Sequence, residues 1–172
     1  MAERREVLHR VEPIWAPDAR VLVLGTMPSP ASREAGVPYA HPHNRFWPVL
    51  AALFGEKDPK DGPGRRALAQ RHHVALWDVV GSCTIEGASD ASIRDVVPND
   101  IAAFVEGTDI AHVALTGSTA LRLYERDLAE RVGLPYRGFP STSPANARWR
   151  LPELVEAYRP VADWATGSSN GQ

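Results

Sequence analysis

The stretch Val21-Leu22-Val23-Leu24-Gly25-Thr26-Met27-Pro28-Ser29 decides the fold. Its four consecutive apolar residues leave no polar face, which predicts a short buried strand over residues 20–24. Gly25, Pro28 and Ser29 then interrupt it, placing small, turn-forming backbone at the strand's carboxyl end. In an open α/β sheet that edge is where a binding crevice forms.

Similar strands recur outward from this point. Residues 74–80 form an almost unbroken apolar run, residues 111–115 a third strand and residues 137–139 a short fourth. Helical patterns fall between them. Residues 44–54 carry Phe46, Trp47, Leu50 and Phe54 at helical spacing, with Gly55 as a stop. Further helices are expected over 65–72, over 101–105 with Asn99 or Asp100 as cap, over 119–131 after Ser118, and over 151–164. Residues 55–64 read as an exposed loop and residues 81–95 as irregular. Strands and helices alternating at this rhythm predict a three-layer α/β/α sandwich around a central, mostly parallel four-stranded sheet. One domain is expected over residues 1–164, followed by a flexible Gly/Ser/Asn-rich tail over 165–172.

Composition bounds the function. With 172 residues, 44% of them hydrophobic, the chain has enough apolar content for one sizeable core. A formal charge of −2 does not by itself point to nucleic acid. Its distribution is more suggestive: residues 136–150 carry Arg137, Arg148 and Arg150 and no acid, a local basic face suited to phosphates or an ordinary solvated cluster. Cys83 is the single cysteine, so an intrachain disulfide and a cysteine-held metal or iron–sulfur cluster are excluded. His41 and His43 flank Pro42, and His72 adjoins His73, but no cysteine or helical His–Glu pair completes a metal site. No signal-like or membrane-spanning apolar run is present, and a cytoplasmic, soluble monomer without membrane, metal or cofactor is the expectation.

Three patches rich in Ser, Thr or Pro directly follow strands, at residues 26–29, 116–118 and 141–143. They belong at one sheet edge and support one site. Thr116-Gly117-Ser118-Thr119-Ala120 also has the look of a nucleophile elbow for a serine hydrolase using Ser118. No histidine follows it, His112 being the last, which counts against that chemistry.

The segments Gly25–Ser29, Tyr39-Ala40-His41-Pro42-His43-Asn44-Arg45-Phe46-Trp47 and Phe139-Pro140-Ser141-Thr142-Ser143-Pro144-Ala145-Asn146 together resemble the uracil-DNA glycosylase superfamily, most closely its hypoxanthine-DNA (deoxyinosine) glycosylase branch. The resemblance covers roughly residues 20–150. It implies excision of a deaminated base from damaged DNA, hypoxanthine first and uracil or xanthine next, by a monofunctional enzyme. Asn44 is then the catalytic residue, its amide orienting the attacking water, although its place ahead of a helix also suits a cap. Gly25, Thr26, Met27, His41, Phe46, Thr116 and Ser141 would line the base pocket, with Phe46 stacking on the base or packing into the core. Ser29, Ser143, Asn146 and Arg148 would meet the DNA backbone, and Arg148 with Trp149 would fill the gap in the duplex.

Three positions depart from relatives in the superfamily. Met27 stands where other branches hold a water-orienting Asp or Asn, Phe139 where some hold a histidine, and Thr116 where an amide reads the base. These departures keep open a DNA-binding member of the fold with altered catalysis. Asp78, at the end of a strand in Trp77-Asp78-Val79, suits a structural acceptor or a carboxylate beside a cationic sugar.

Overall fold

A computed structural model describes residues 4–86 and 92–167. Its frame is a parallel sheet of β2 (Val21–Gly25), β3 (Val74–Asp78), β6 (His112–Thr116) and β7 (Tyr136–Phe139), in the order β3-β2-β6-β7. The central strand β2 pairs with β3 on one side and β6 on the other, both in parallel register. Period-two alternation sends its side chains to two separate cores. Val21 and Val23 join Val74, Leu76, Ala114 and Phe139 in one. Leu22 and Leu24 join Ala75, Val113 and Leu115 in the other.

The first core is closed by α2 (Phe46–Leu53), α3 (Gly62–Arg71), α7 (Leu151–Ala157) and α8 (Arg159–Thr166) through Trp47, Leu50, Leu68, Leu154 and Val161. The second is closed by α4 (Ile101–Val105) and α5 (Ser118–Asp127) through Ile101, Leu123 and Tyr124, with α6 (Ala129–Val132) beside them. The four-stranded parallel sheet flanked by helices is thus the fold expected.

A second, antiparallel sheet was not anticipated. It consists of β1 (Arg4–Leu8), β4 (Val80–Glu86) and β5 (Arg94–Pro98), in the order β1-β4-β5, and Val7, Val80 and Cys83 feed the second core. Residues 81–86 and 94–95, read from sequence as irregular, are therefore strand; residues 87–91 of that stretch lie outside the described residues. Register shifts between Val80 and Ser82 and between Ser82 and Thr84 break the alternation that would have revealed β4. The expected strand over 74–80 also divides, because the chain leaves the parallel sheet after Asp78 and enters β4 at Val80.

Other differences are local. The short helix α1 (Pro30–Ala35) follows Ser29, whose Oγ accepts from the Ser32 N–H, with Pro30 in its first turn. The helix expected over 119–131 breaks at buried Leu128, and that over 151–164 breaks at buried Tyr158 ahead of Pro160. Helix α8 continues through Thr166, and Ala165 within it is fully buried. Residues 168–172 lie outside the described residues.

Candidate active site

The carboxyl ends of the four parallel strands bring Gly25, Asp78, Thr116 and Phe139 to one edge. Gly25 occupies the middle of it. A Cβ there would fall 2.6 Å from Asp78 Oδ1, 3.0 Å from the Tyr39 hydroxyl and 3.6 Å from Thr116 Oγ1. Glycine is needed here because a carboxylate and two hydroxyls converge on its Cα.

Asp78 and Thr116 are buried polar residues. Asp78 Oδ2 accepts from His9 Nε2 at 2.8 Å, and both side chains are under a tenth exposed. The Val11 N–H donates to His9 Nδ1 at 3.3 Å, which leaves the imidazole proton on Nε2 for Asp78. Asn99 Nδ2 donates to the carbonyls of Asp78 and Val80 and holds the turn between the two sheets.

Tyr39 closes the edge from above. Its φ of 55° lies in the left-handed region, a strained state for a bulky residue and one that often marks a functional site. The ring stacks on Phe46 at 4.2 Å between centroids with 21° between planes, and its hydroxyl lies 3.1 Å from Thr116 Oγ1. Burial, reinforced by the Asp78 carboxylate, pushes the phenol well above its usual range, so Tyr39 stays protonated as a donor. Phe46, the expected stacking residue, is only 1% exposed. The ring facing the edge is that of Tyr39, with Phe46 supporting it from behind.

The loop after β7 is fastened to the segment before α2. Asn44 Oδ1 accepts from the Phe46 N–H and from Thr142 Oγ1, both at 2.9 Å. Arg45 is the N-cap residue of α2, and Asn44 one position earlier uses its one oxygen to hold the first N–H of the helix and anchor the Pro-Ser loop, leaving its Nδ2 donors for other work. Arg45 completes the fastening: its N–H donates to the Thr142 carbonyl, and its guanidinium to the carbonyls of Ser143, Asn146 and Trp149. Tyr158 Oη donates to the Pro140 carbonyl beneath.

Within the loop, Ser141 Oγ accepts from the Ser143 N–H, Ser143 Oγ from the Ala145 N–H, and Asn146 Nδ2 donates to the Ser141 carbonyl. Both hydroxyls keep a proton to donate outward. Gly117 lies beside this loop, and its φ of 91° is a conformation that favours glycine.

The remaining expected residues distribute unevenly. Thr26 is buried, and its carbonyl accepts from the Val80 N–H. Met27 packs partly against the second core. His41 is exposed, its Nδ1 accepting from the His43 N–H, and Arg148 is exposed beyond the loop. The Ser29 hydroxyl is engaged in capping α1. Ser118 opens α5, whereas His112 begins β6, about 13 Å away along the strand at its usual rise, and stacks on Trp164. The serine-hydrolase arrangement is therefore not assembled.

Sequence reasoning passed over His9, Tyr39 and Arg45. Tyr39 and Arg45 lie inside a motif that it had singled out, but His9 is 69 residues from its partner and carries no local signal. Among the described residues, no group of three His, Cys, Asp or Glu side chains is arranged to hold a metal, and no helix is long and apolar enough to cross a membrane.

A family profile, that of the uracil DNA glycosylase superfamily, matches residues 13–162, and the chain belongs to that superfamily. A Methanosarcina acetivorans protein named hypoxanthine DNA glycosylase is 27% identical over 133 residues, covering 77% of this chain and 84% of its own. One of the same name from Methanosarcina barkeri is 31% identical over 84 residues, covering 48% and 53%. Among solved structures, the NMR structure of a candidate uracil DNA glycosylase from Methanosarcina acetivorans superposes with a TM-score of 0.74 at 26% identity, covering 89% of this chain and 97% of that one.

Proposed function

We propose that this protein is a DNA glycosylase that hydrolyses the N-glycosidic bond of a deaminated base, hypoxanthine first and uracil or xanthine next. The observation that carries the reading is the Asn44–Thr142 hydrogen bond, which joins the two motif loops above the strand ends. The family membership and the relatives named hypoxanthine DNA glycosylase support it.

The lesion nucleotide rotates out of the duplex, at a cost lowered by its weak pairing, and enters between these loops. The base stacks against the Tyr39–Phe46 pair. The C1′–N bond breaks with its electrons on the base nitrogen, water oxygen bonds to C1′, and one water proton is released as the base takes one up. The cationic sugar needs an oriented water and favourable electrostatics more than a strong nucleophile. With Oδ1 occupied, Asn44 orients that water through its Nδ2 donors. The Ser141 and Ser143 hydroxyls, with Asn146 and exposed Arg148, contact the flanking phosphates. The two lysines of the chain, Lys57 and Lys60, lie beyond the far end of α2 from Asn44. That placement favours water over an amine nucleophile, hence a monofunctional enzyme.

Single-turnover release from duplexes containing hypoxanthine, uracil or xanthine tests the reading. Asn44→Ala is expected to slow release at least about a hundredfold with little change in DNA affinity. Thr142→Val removes the same anchoring bond but leaves the amide, and is expected to slow release less than about tenfold. Equal losses in both variants would reduce Asn44 to an anchor. An Asn44→Ala enzyme as active as wild type would move the catalytic role elsewhere.

A further inference from the structure

Tyr39 carries a large ring on a backbone conformation that suits glycine. Its φ is 55°, and strain of this kind persists only where the surroundings over-determine it. Here side chains from α1 and α2 do so. On one side the fully buried Trp47 donates its indole N–H to the Pro38 carbonyl at 2.8 Å. On the other, the Ala40 N–H donates at 3.1 Å to Ser32 Oγ, whose residue is 1% exposed. The Pro38 carbonyl and the Ala40 N–H belong to the two peptide planes that meet at the Tyr39 Cα. Holding both planes therefore fixes φ and ψ of Tyr39 together.

The holding groups are themselves held. The Arg65 guanidinium lies over the Trp47 ring at 5.6 Å and is fixed by two hydrogen bonds to Asp58. Arg66, also on α3, donates to the Gly36 carbonyl at the start of the same segment. At the far end of the side chain, the Tyr39 hydroxyl donates to Thr116 Oγ1, whose own proton goes to the Leu24 carbonyl. Packing in the first core asks of Trp47 only apolar volume, and that demand does not account for a donor aimed at Pro38. Glycine at position 39 would remove the strain, but it would also remove the ring that stacks on Phe46 and faces the strand edge. The strain serves the aim of that ring.

We infer that Trp47 and Ser32 are positioning residues, which fix the two peptide planes of Tyr39 and so aim its ring at the extruded base. This assignment rests on the base-excision reading and deepens it. Neither residue touches the substrate; both act through Tyr39. A ring held in place before the base arrives sets the sugar C1′ against the oriented water, and a small misplacement there slows the chemical step steeply. Binding of the duplex depends mainly on phosphate contacts from other residues and is little affected.

The test is a double-mutant cycle read by single-turnover base release at saturating enzyme. Trp47→Phe keeps an aromatic ring and loses the N–H, and Ser32→Ala loses one hydroxyl. Each is expected to slow release at least about tenfold, while the enzyme concentration giving half the maximal rate changes less than about threefold. In a Tyr39→Ala background no ring remains to be aimed, and each should slow release by less than about a further threefold. In Tyr39→Phe, which keeps the ring, each should again cost at least about tenfold. A role in folding alone would give equal losses in all three backgrounds. That result, or wild-type rates in both single variants, overturns the assignment and leaves the excision reading intact. Ser32→Ala keeps the test decisive should Trp47→Phe fail to fold. A wild type that releases none of hypoxanthine, uracil or xanthine overturns the excision reading, and this assignment with it.

Discussion

Gly25 shows how a single residue carries both a legible and a hidden message. Its place after an apolar strand marks the sheet edge in the sequence, where its smallness reads as room for a ligand. The structure gives a different reason: the missing Cβ is the space taken by Asp78 Oδ1 and the Tyr39 hydroxyl. Gly25→Ala would force a methyl to 2.6 Å from a carboxylate that His9 holds in place. Overpacking of this kind costs about 1–3 kcal/mol of stability, measurable by denaturant titration. Because Gly25 lies at the strand edge between Asp78 and Tyr39, single-turnover release should fall at least about tenfold as well. A variant as stable and active as wild type would show that Asp78 and Tyr39 are free to move. His9 could not have been found from the sequence, since a histidine beside a short edge strand has no periodicity or spacing tying it to a carboxylate in another sheet.

Among elements, the apolar strands were legible because burial on both faces leaves a continuous hydrophobic run. Strand β4 was not, because its bulged register mixes Gly81, Ser82 and Thr84 with Cys83 and Ile85. Of the site, the sequence reveals the loops and conceals how they are joined. That joining falls to Arg45, whose guanidinium collects three carbonyls from the loop after β7 and the turn following it. Arg45→Met would retain much of the side-chain volume while leaving those carbonyls unpaired, at a cost of about 2–3 kcal/mol. With the Pro-Ser loop loosened, lesion-DNA affinity should weaken several-fold, whereas Asn44→Ala should mainly slow the chemical step. Thermal unfolding and a DNA titration on the two variants would separate these roles. Unchanged stability in Arg45→Met would mean that the loop is rigid without its clamp.

For the whole molecule, the small negative charge conceals a strong segregation. Residues 25–33, 39–55 and 136–150, which supply the loops at the sheet edge, contain no acid, so all 21 acidic residues lie elsewhere. Those same segments contribute Arg33, Arg45, Arg137, Arg148 and Arg150. Arg45 is committed to the clamp and Arg33 donates to the Pro28 carbonyl, whereas Arg137, Arg148 and Arg150 are exposed. Three phosphate contacts would give log K for DNA a slope of about −3 against log salt, since each neutralised phosphate contributes roughly 0.9. Arg148→Ala should reduce the magnitude of that slope by about 1 and weaken lesion and undamaged duplexes alike, because a phosphate contact carries no base information. Fluorescence-anisotropy titrations across a salt series would measure both. A slope near zero for the wild type would mean that these acid-free loops are not the face that meets DNA.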